Sequence, residues 1–213
     1  MNESKNYAKP HESILPKVYN INMNEPRTGQ SQPPVIYGID ERDRIVLIDG
    51  AWDAFAVANH AEHVISSQVL HTSLWEHCRG AMVEQVYRNL LQRVRVTKRP
   101  IEFIYRCDAP ERRRFIRMCI TKREDQPLIT FMNQIVREEL RPYQALLDVT
   151  APRRSDELVA MCSWCNKVRV DESGWYEVED AIAALKLFER DACPEITHTI
   201  CPSCLARSEA ELA

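Results

Sequence analysis

Residues 81–107 read AMVEQVYRNLLQRVRVTKRPIEFIYRC, and their apolar positions change period part-way along. Met82, Val86, Leu90 and Val94, joined by Val83, Tyr87 and Leu91, recur at three and four residues. That spacing predicts an amphipathic helix over 81–97. Lys98-Arg99-Pro100 ends it, because proline cannot continue the hydrogen-bond ladder. From Ile101 the period becomes two. Ile101, Phe103, Tyr105 and Cys107 alternate with Glu102, Ile104, Arg106 and Asp108, the pattern of a half-buried strand. A long helix running straight into strands makes this an α+β chain.

Outward from that switch the punctuation is regular. Downstream, Ala109-Pro110-Glu111 is a turn, 113–121 and 128–136 read as two more strands, and 137–147 as a helix interrupted near Pro142. Residues 149–157 read as a linker. Upstream, 35–40 and 44–49 form a hairpin across Glu41-Arg42-Asp43. A short helix over 51–59 puts Trp52, Phe55 and Ala56 on one face, and a second piece in 70–78 turns Leu74 and Trp75 inward. The first 34 residues are polar and carry Pro10, Pro16, Pro26, Pro33 and Pro34, so a flexible arm is expected there.

The sharpest chemical signal lies near the end. Met161-Cys162-Ser163-Trp164-Cys165 is answered, 35 residues on, by His198-Thr199-Ile200-Cys201-Pro202-Ser203-Cys204. Each Cys-x-x-Cys pair can turn two sulfurs on one ion, and zinc prefers four thiolates in a tetrahedron. Cys162, Cys165, Cys201 and Cys204 are therefore the expected ligands. Such a closed shell has no open position, which makes the metal structural rather than catalytic. A redox pair or an iron–sulfur cluster would use the same residues. His198 could replace one sulfur, or hydrogen-bond a thiolate or a carbonyl from outside the ligand set. Around the pairs, 167–178 reads as a hairpin and 178–190 as a helix, a ββα-type unit too small to fold on its own core. Pro202 sits in the first turn of a terminal helix.

Composition excludes several classes. The chain has 213 residues, 45% of them hydrophobic, but no apolar run long enough to span a membrane. MNESKNYAKPHESILPK has no apolar signal-peptide core, so a cytoplasmic protein is expected. In that compartment the 8 cysteines are not a disulfide framework. No Walker loop, G-x-S-x-G or H-E-x-x-H occurs, and the chain does not read as an enzyme. Residues 1–150 hold 21 basic against 19 acidic residues, a net of +2, and 151–213 hold 7 against 12, a net of −5. Within 88–123 there are 12 Lys+Arg and 3 acids, densest at Arg112-Arg113-Arg114. That stretch suits an acidic ligand, the acidic end of the same chain, or a solvated face with cross-strand pairs. Nucleic acid is disfavoured, because no helix-turn-helix pattern and no basic face with stacking aromatics is present.

The order of two strands, short helices, a long helix and three strands resembles the PAS fold. Trp52-Asp53-x-Phe55-Ala56, Ser73-Leu74-Trp75, Arg106-Cys107-Asp108-Ala109-Pro110 and Arg113-Arg114-Phe115 look like the pattern of a bacterial PAS-like family. The Cys-rich end is similar to segments found in some two-component signalling proteins. The resemblance implies a five-stranded antiparallel sheet with helices on one face and a pocket between them. It divides the chain into an arm (1–34), a sensor domain (35–148), a linker (149–157) and a zinc domain (158–213). Trp52, Phe55, Leu74, Trp75, Tyr87, Phe103, Tyr105, Phe115 and Phe131 are then the pocket lining. Haem or flavin would call on His71, His77 or Cys78. The residues that flank the reactive cysteine of blue-light flavin sensors are absent around Cys78, and the histidines carry no supporting pattern. The function implied is a stand-alone sensor that binds a small molecule or a signalling partner, or pairs as a homodimer, with the zinc unit as a docking surface fed through the linker. The alternatives are a thiol/zinc redox switch and a nucleic-acid-binding zinc ribbon.

Overall fold

The computed structural model describes residues 32–122, 127–151, 154–172 and 174–212. Most of the arm expected over 1–34 lies outside the described residues. Gln32–Ala213 form one compact unit.

Five antiparallel strands make the larger layer: β1 (Val35–Ile39), β2 (Ile45–Gly50), β3 (Ile101–Arg106), β4 (Arg112–Lys122) and β5 (Ile129–Leu140), in the order β2-β1-β5-β4-β3. The β1–β2 turn closes on Asp40, whose carboxylate accepts from the backbone N–H of Arg42 and of Arg44, each at 2.9 Å. Between β2 and β3 come α1 (Trp52–Ala58), α2 (Ser66–Val69) and α3 (Ala81–Thr97), with 3-10 turns at Glu62–Val64 and Leu74–His77. The register sets Tyr37 opposite Phe131, Phe131 opposite Ile120 and Ile120 opposite Ile101. These side chains share the sheet face that the helices cover. The expected stripe of α3 buries Val83, Val86, Leu90, Leu91 and Val94, while Met82 stays exposed.

Several expected boundaries fail downstream. The last strand continues to Leu140, so the helix expected over 137–147 shrinks to a 3-10 turn at Ala145–Leu147. Pairing with β4 decides this. Arg114 lies opposite Glu138 and Arg113 opposite Glu139, and Glu138 binds Arg112 and Arg114. Cross-strand charge pairs outweigh the modest helix preference of this stretch.

The C-terminal part forms a four-stranded sheet in the order β8-β7-β6-β9, from β6 (Arg154–Cys162), β7 (Val168–Val170), β8 (Gly174–Tyr176) and β9 (Cys193–Thr199). The expected hairpin is β7–β8. Beside it, β6 and β9 pair in parallel. Strand β6 starts inside the stretch read as a linker. The Arg154 guanidinium ties it down, donating to Leu146 O at 3.2 Å and Pro194 O at 2.9 Å. Helix α4 (Val178–Ala184) is shorter than the expected 178–190, because Lys186 takes a left-handed conformation, φ 52°. Helix α5 (Pro202–Leu212) opens on Pro202 as expected.

The two sheets share side chains. Met161, Val168, Val178, Ile182 and Leu146 pack in a small core of their own. Cys162, Trp164, Ile200, Cys201 and Cys204 instead join the core that holds Leu90 and Phe103. Charge seals a second contact. Arg106, 8% exposed, binds Asp108 and, at 2.6 Å, Glu177. Arg113 reaches Glu179 at 3.2 Å, and Arg141 reaches Asp108 at 3.2 Å and Glu179 at 3.4 Å. The basic stretch thus meets the acidic end of its own chain. Strand β9 also touches Gly80 (φ +97°), the residue before α3, where an added Cβ would lie 2.3 Å from His198 O. Only glycine lets β9 cross the start of α3 this closely.

Candidate metal centre and adjoining cavity

Parallel pairing brings the four cysteines together. Cys162 ends β6 opposite Thr199 of β9, so both strands deliver their C-terminal ends to one edge of the sheet. The first pair is a tight knuckle: Cys162 N–H donates to Lys167 O at 2.8 Å, Asn166 N–H returns to Cys162 O at 2.9 Å, and Asn166 adopts φ 55°. The second pair straddles the start of α5. The four Sγ atoms lie within 4.8 Å of one another, and Cys165 Sγ is 3.8 Å from Cys201 Sγ. A tetrahedron with bonds of about 2.3 Å has sulfur–sulfur edges of about 3.8 Å. Cys162, Cys201 and Cys204 are buried and Cys165 is half-buried.

The surroundings favour negative sulfur. Cys201 N–H donates to Cys162 Sγ at 3.3 Å, and the Arg207 guanidinium donates to Cys204 Sγ at 3.5 Å. Hydrogen bonds from Cys165 and Cys204, aided by the Cys201 N–H, hold Cys162 far below the usual thiol range. The hydrogen bond to Cys162 in turn pushes Cys165 up to about 12 and raises Cys204. One sulfur takes the charge at the expense of its neighbours. Four cysteines at this spacing could hold a cation, and the all-sulfur donor set suits a thiophilic one, zinc or iron. His198 is not among the four clustered ligands. Its Nδ1 faces Ser163 Oγ at 3.5 Å, and burial, with the nearby charge of Arg79, lowers its pKa.

The knuckle also reaches inward. Trp164, 5% exposed, stacks on Phe103 at 5.1 Å and tilts against Tyr87 at 5.6 Å. Its carbonyl accepts from Arg106 N–H at 2.9 Å, so the knuckle continues the edge of β3. In the orientation its neighbours require, the Asn166 amide donates to Arg106 O at 3.1 Å and accepts from Asp108 N–H at 3.0 Å.

Trp164 forms one wall of a cavity of about 430 Å³ between the large sheet, the helices and the knuckle. A second cavity of about 740 Å³ adjoins it, sharing Tyr37, Trp52, Val64, Tyr87 and Tyr105. Of the residues expected to line a pocket, Trp52, Leu74, Tyr87, Phe103 and Tyr105 line the first, and Phe55 lines the second. Trp52 is fixed by its indole N–H, which donates to Val64 O at 2.7 Å. The other three expected residues lie elsewhere. Phe131 is fully buried beneath Tyr37, stacked at 4.4 Å. Trp75 is half-buried against the main core, its indole N–H on Asp43 at 3.0 Å and the Arg88 guanidinium 3.9 Å above its ring. Phe115 sits on the far side of the sheet beneath Arg137, at 3.7 Å. Strand alternation explains it: Arg114 and Ile116 face the second cavity, so Phe115 cannot.

Several lining residues escaped the sequence reading: Tyr37, Asn133, Ser163, Trp164 and His198. Tyr37 could have been found by extending the period-two pattern of β1. Trp164 carried only the hint of an indole inside a metal knuckle. Tyr105 Oη donates to Asn133 Oδ1 at 3.2 Å. Burial raises the pKa of Tyr37, Tyr87 and Tyr105, so all three stay neutral phenols. Burial, then the Glu84 charge, pushes the Cys78 thiol up to about 11, which keeps it protonated and poorly nucleophilic. His77 lines the cavity, with Nε2 2.7 Å from Thr72 Oγ1, while His71 is exposed with φ 70°. No helix among the described residues is long and apolar enough to cross a membrane.

No family model matches this chain, and no curated protein matches its sequence.

Proposed function

We propose that this chain is a PAS-like sensory module whose ligand cavity is closed by a structural zinc knuckle. The observation that carries the reading is the position of Trp164, between two metal ligands in sequence and against Phe103 and Tyr87 in space. A zinc ion held by Cys162, Cys165, Cys201 and Cys204 would fix the knuckle, and the knuckle fixes the indole. A change in the cavity is then felt at the cysteine-bearing sheet without passing along a flexible linker. The sheet with helices on one face supports the PAS-like reading, and reduced thiolates suit the cytoplasm. The output would be a signalling partner or a second copy of the chain, met by the cysteine-bearing sheet and α5.

Elemental analysis with a visible spectrum of the purified full chain tests this. One zinc per chain in a colourless protein is the expected result. A folded, metal-free protein whose four cysteines all react with a thiol reagent would overturn it. Colour would replace zinc by an iron–sulfur cluster, or put haem or flavin in the cavity. Loss of zinc on mild peroxide, with recovery on reduction, would favour the redox switch.

A further inference from the structure

The lining of the smaller cavity is chemically lopsided. Its walls are apolar and rich in rings: Tyr37, Trp52, Tyr87, Phe103, Tyr105 and Trp164, with Ile45, Val64, Val69, Leu74 and Val83 between them. Its polar margin holds Arg79, His77, Ser163 and His198, and no Asp or Glu among the described residues lines it. The margin is composite. Arg79 stands beside Gly80 at the start of α3, and Ser163 and His198 come from the second sheet, brought there by the close crossing of His198 over Gly80. Ser163 Oγ and His198 Nδ1, at 3.5 Å, already face each other across β6 and β9. At the depth, Tyr105 is held by Asn133 at 3.2 Å, which leaves its oxygen lone pairs for a donor from a ligand.

Resting on the sensory reading above, we propose that this cavity binds a small aromatic carboxylate. Its ring lies between the Tyr37–Trp52 wall and the Trp164–Phe103 wall. Its carboxylate lies at the margin against Arg79, with Ser163 and His198 beside it. Three arguments choose this class. A cavity of about 430 Å³ is within the ordinary range for small-molecule sites, about 300–1,000 Å³. Flat walls of several aromatic rings favour a flat, apolar body through offset or edge contacts. A margin with a guanidinium, and no carboxylate among the described lining residues, complements an anion and repels a cation. An aliphatic acid would forgo the ring contacts, and a neutral aromatic the charge.

The test uses the full-length, metal-loaded chain and three probes, phenylacetate, 3-phenylpropionate and indole-3-acetate, each beside its primary amide. Binding is read by calorimetry and by tryptophan emission, since Trp52 and Trp164 line the site. At least one acid is expected to bind saturably, with its amide weaker by about tenfold, the effect of one charge-assisted hydrogen bond at a half-open margin. Arg79→Gln, an exposed position, should weaken the acid by a similar factor and leave the amide unchanged. Metal content and circular dichroism check that this variant is folded. If acid and amide bind equally, or Arg79→Gln alters neither, the carboxylate assignment is wrong while a ligand cavity stands. If no acid and no amide binds to the folded protein, the proposal and the ligand-sensing reading fall together.

Discussion

If Cys162, Cys165, Cys201 and Cys204 hold the proposed zinc, stripping it with a chelator under reducing conditions should do more than melt residues 154–212. Metal binding contributes about 10–16 kcal/mol in small zinc-dependent peptides, and whole domains are stable by only about 5–15 kcal/mol. The loss is therefore comparable with the entire stability of the fold. Its effect spreads because the ligands are core residues: Cys162, Cys201 and Cys204 are 0%, 3% and 5% exposed and pack with Leu90 and Phe103. Release of the knuckle also frees Trp164. A buried tryptophan covers about 150–250 Å², which at about 25 cal/mol per Å² is about 4–6 kcal/mol of apolar burial. That part alone should lower the melting temperature of a chain this size by about 10–20 °C.

The assay is thermal unfolding followed by far-ultraviolet circular dichroism and by tryptophan emission, before and after chelation, with zinc added back. The large sheet should lose stability together with the second one, in a single transition. The emission should shift to the red as Trp164 leaves its stack on Phe103. Restoring one equivalent of zinc should reverse both. A metal-free chain that melts in two steps, the upper one unmoved, would refute the argument, because the large sheet would then not depend on the knuckle. So would unchanged emission.

Trp164→Ala should cost about 3–5 kcal/mol in urea unfolding, while Trp75→Ala, whose ring is only half-buried beneath Arg88, should cost less. Asp108→Ala removes the shared partner of Arg106 and Arg141 and should cost about 3–5 kcal/mol, whereas Arg137→Ala on the far sheet face should stay within about 1 kcal/mol. Gly80→Ala forces a Cβ to 2.3 Å from His198 O and should both destabilise the fold and weaken zinc retention during chelator titration. Hydrogen bonds from the backbone of Arg44 and then Arg42 lower the pKa of Asp40. Its stabilising contribution is complete above the ordinary carboxylate value of about 3.9 and is lost as pH falls through the lower folded value, so Asp40→Asn should flatten the acid limb of the stability–pH curve.

The large sheet was legible because its evidence is local. The period switch at Lys98–Pro100, the turn at Ala109–Glu111 and the hairpin around Asp40 each depend on a few neighbouring residues. The cysteine cluster was legible for the same reason, since two short pairs specify the donor set. The misreadings have a different origin. Arg137–Leu140 looked helical because its partner strand, some two dozen residues upstream, is invisible to local periodicity; only the register with Arg112–Arg114 reveals the strand. Phe115 looked like lining because a hydrophobic residue was assumed to face inward, yet Arg114 takes that face and packs its guanidinium 5.5 Å from Phe55. Trp164 and His198 belong to the cavity only through the crossing at Gly80, and no spacing in the sequence encodes a crossing.

That last point changes how a signal would travel. Two domains on a linker would need a lever, a helix or a hinge, to pass a change from pocket to metal unit. Here the segment between them is pinned by Arg154 to the carbonyl groups of Leu146 and Pro194, and Leu146 is 1% exposed. A pinned segment transmits little. The moving part would then be the shared contact itself, and two of these contacts have opposite character. The ion network of Arg106, Arg113 and Arg141 with Glu177 and Glu179 is a buried, directional clamp, costly to break and slow to adapt. The Trp164 stack is apolar and non-directional, so its indole can shift against Phe103 and Tyr87 without leaving a buried charge unpaired. A ligand entering the cavity would meet the indole and leave the clamp intact. On the proposed reading, displacement would pivot about the clamp and reach the chain between Cys162 and Cys165, where an ion held by the four cysteines would resist distortion and pass the motion on to α5 through Cys201 and Cys204.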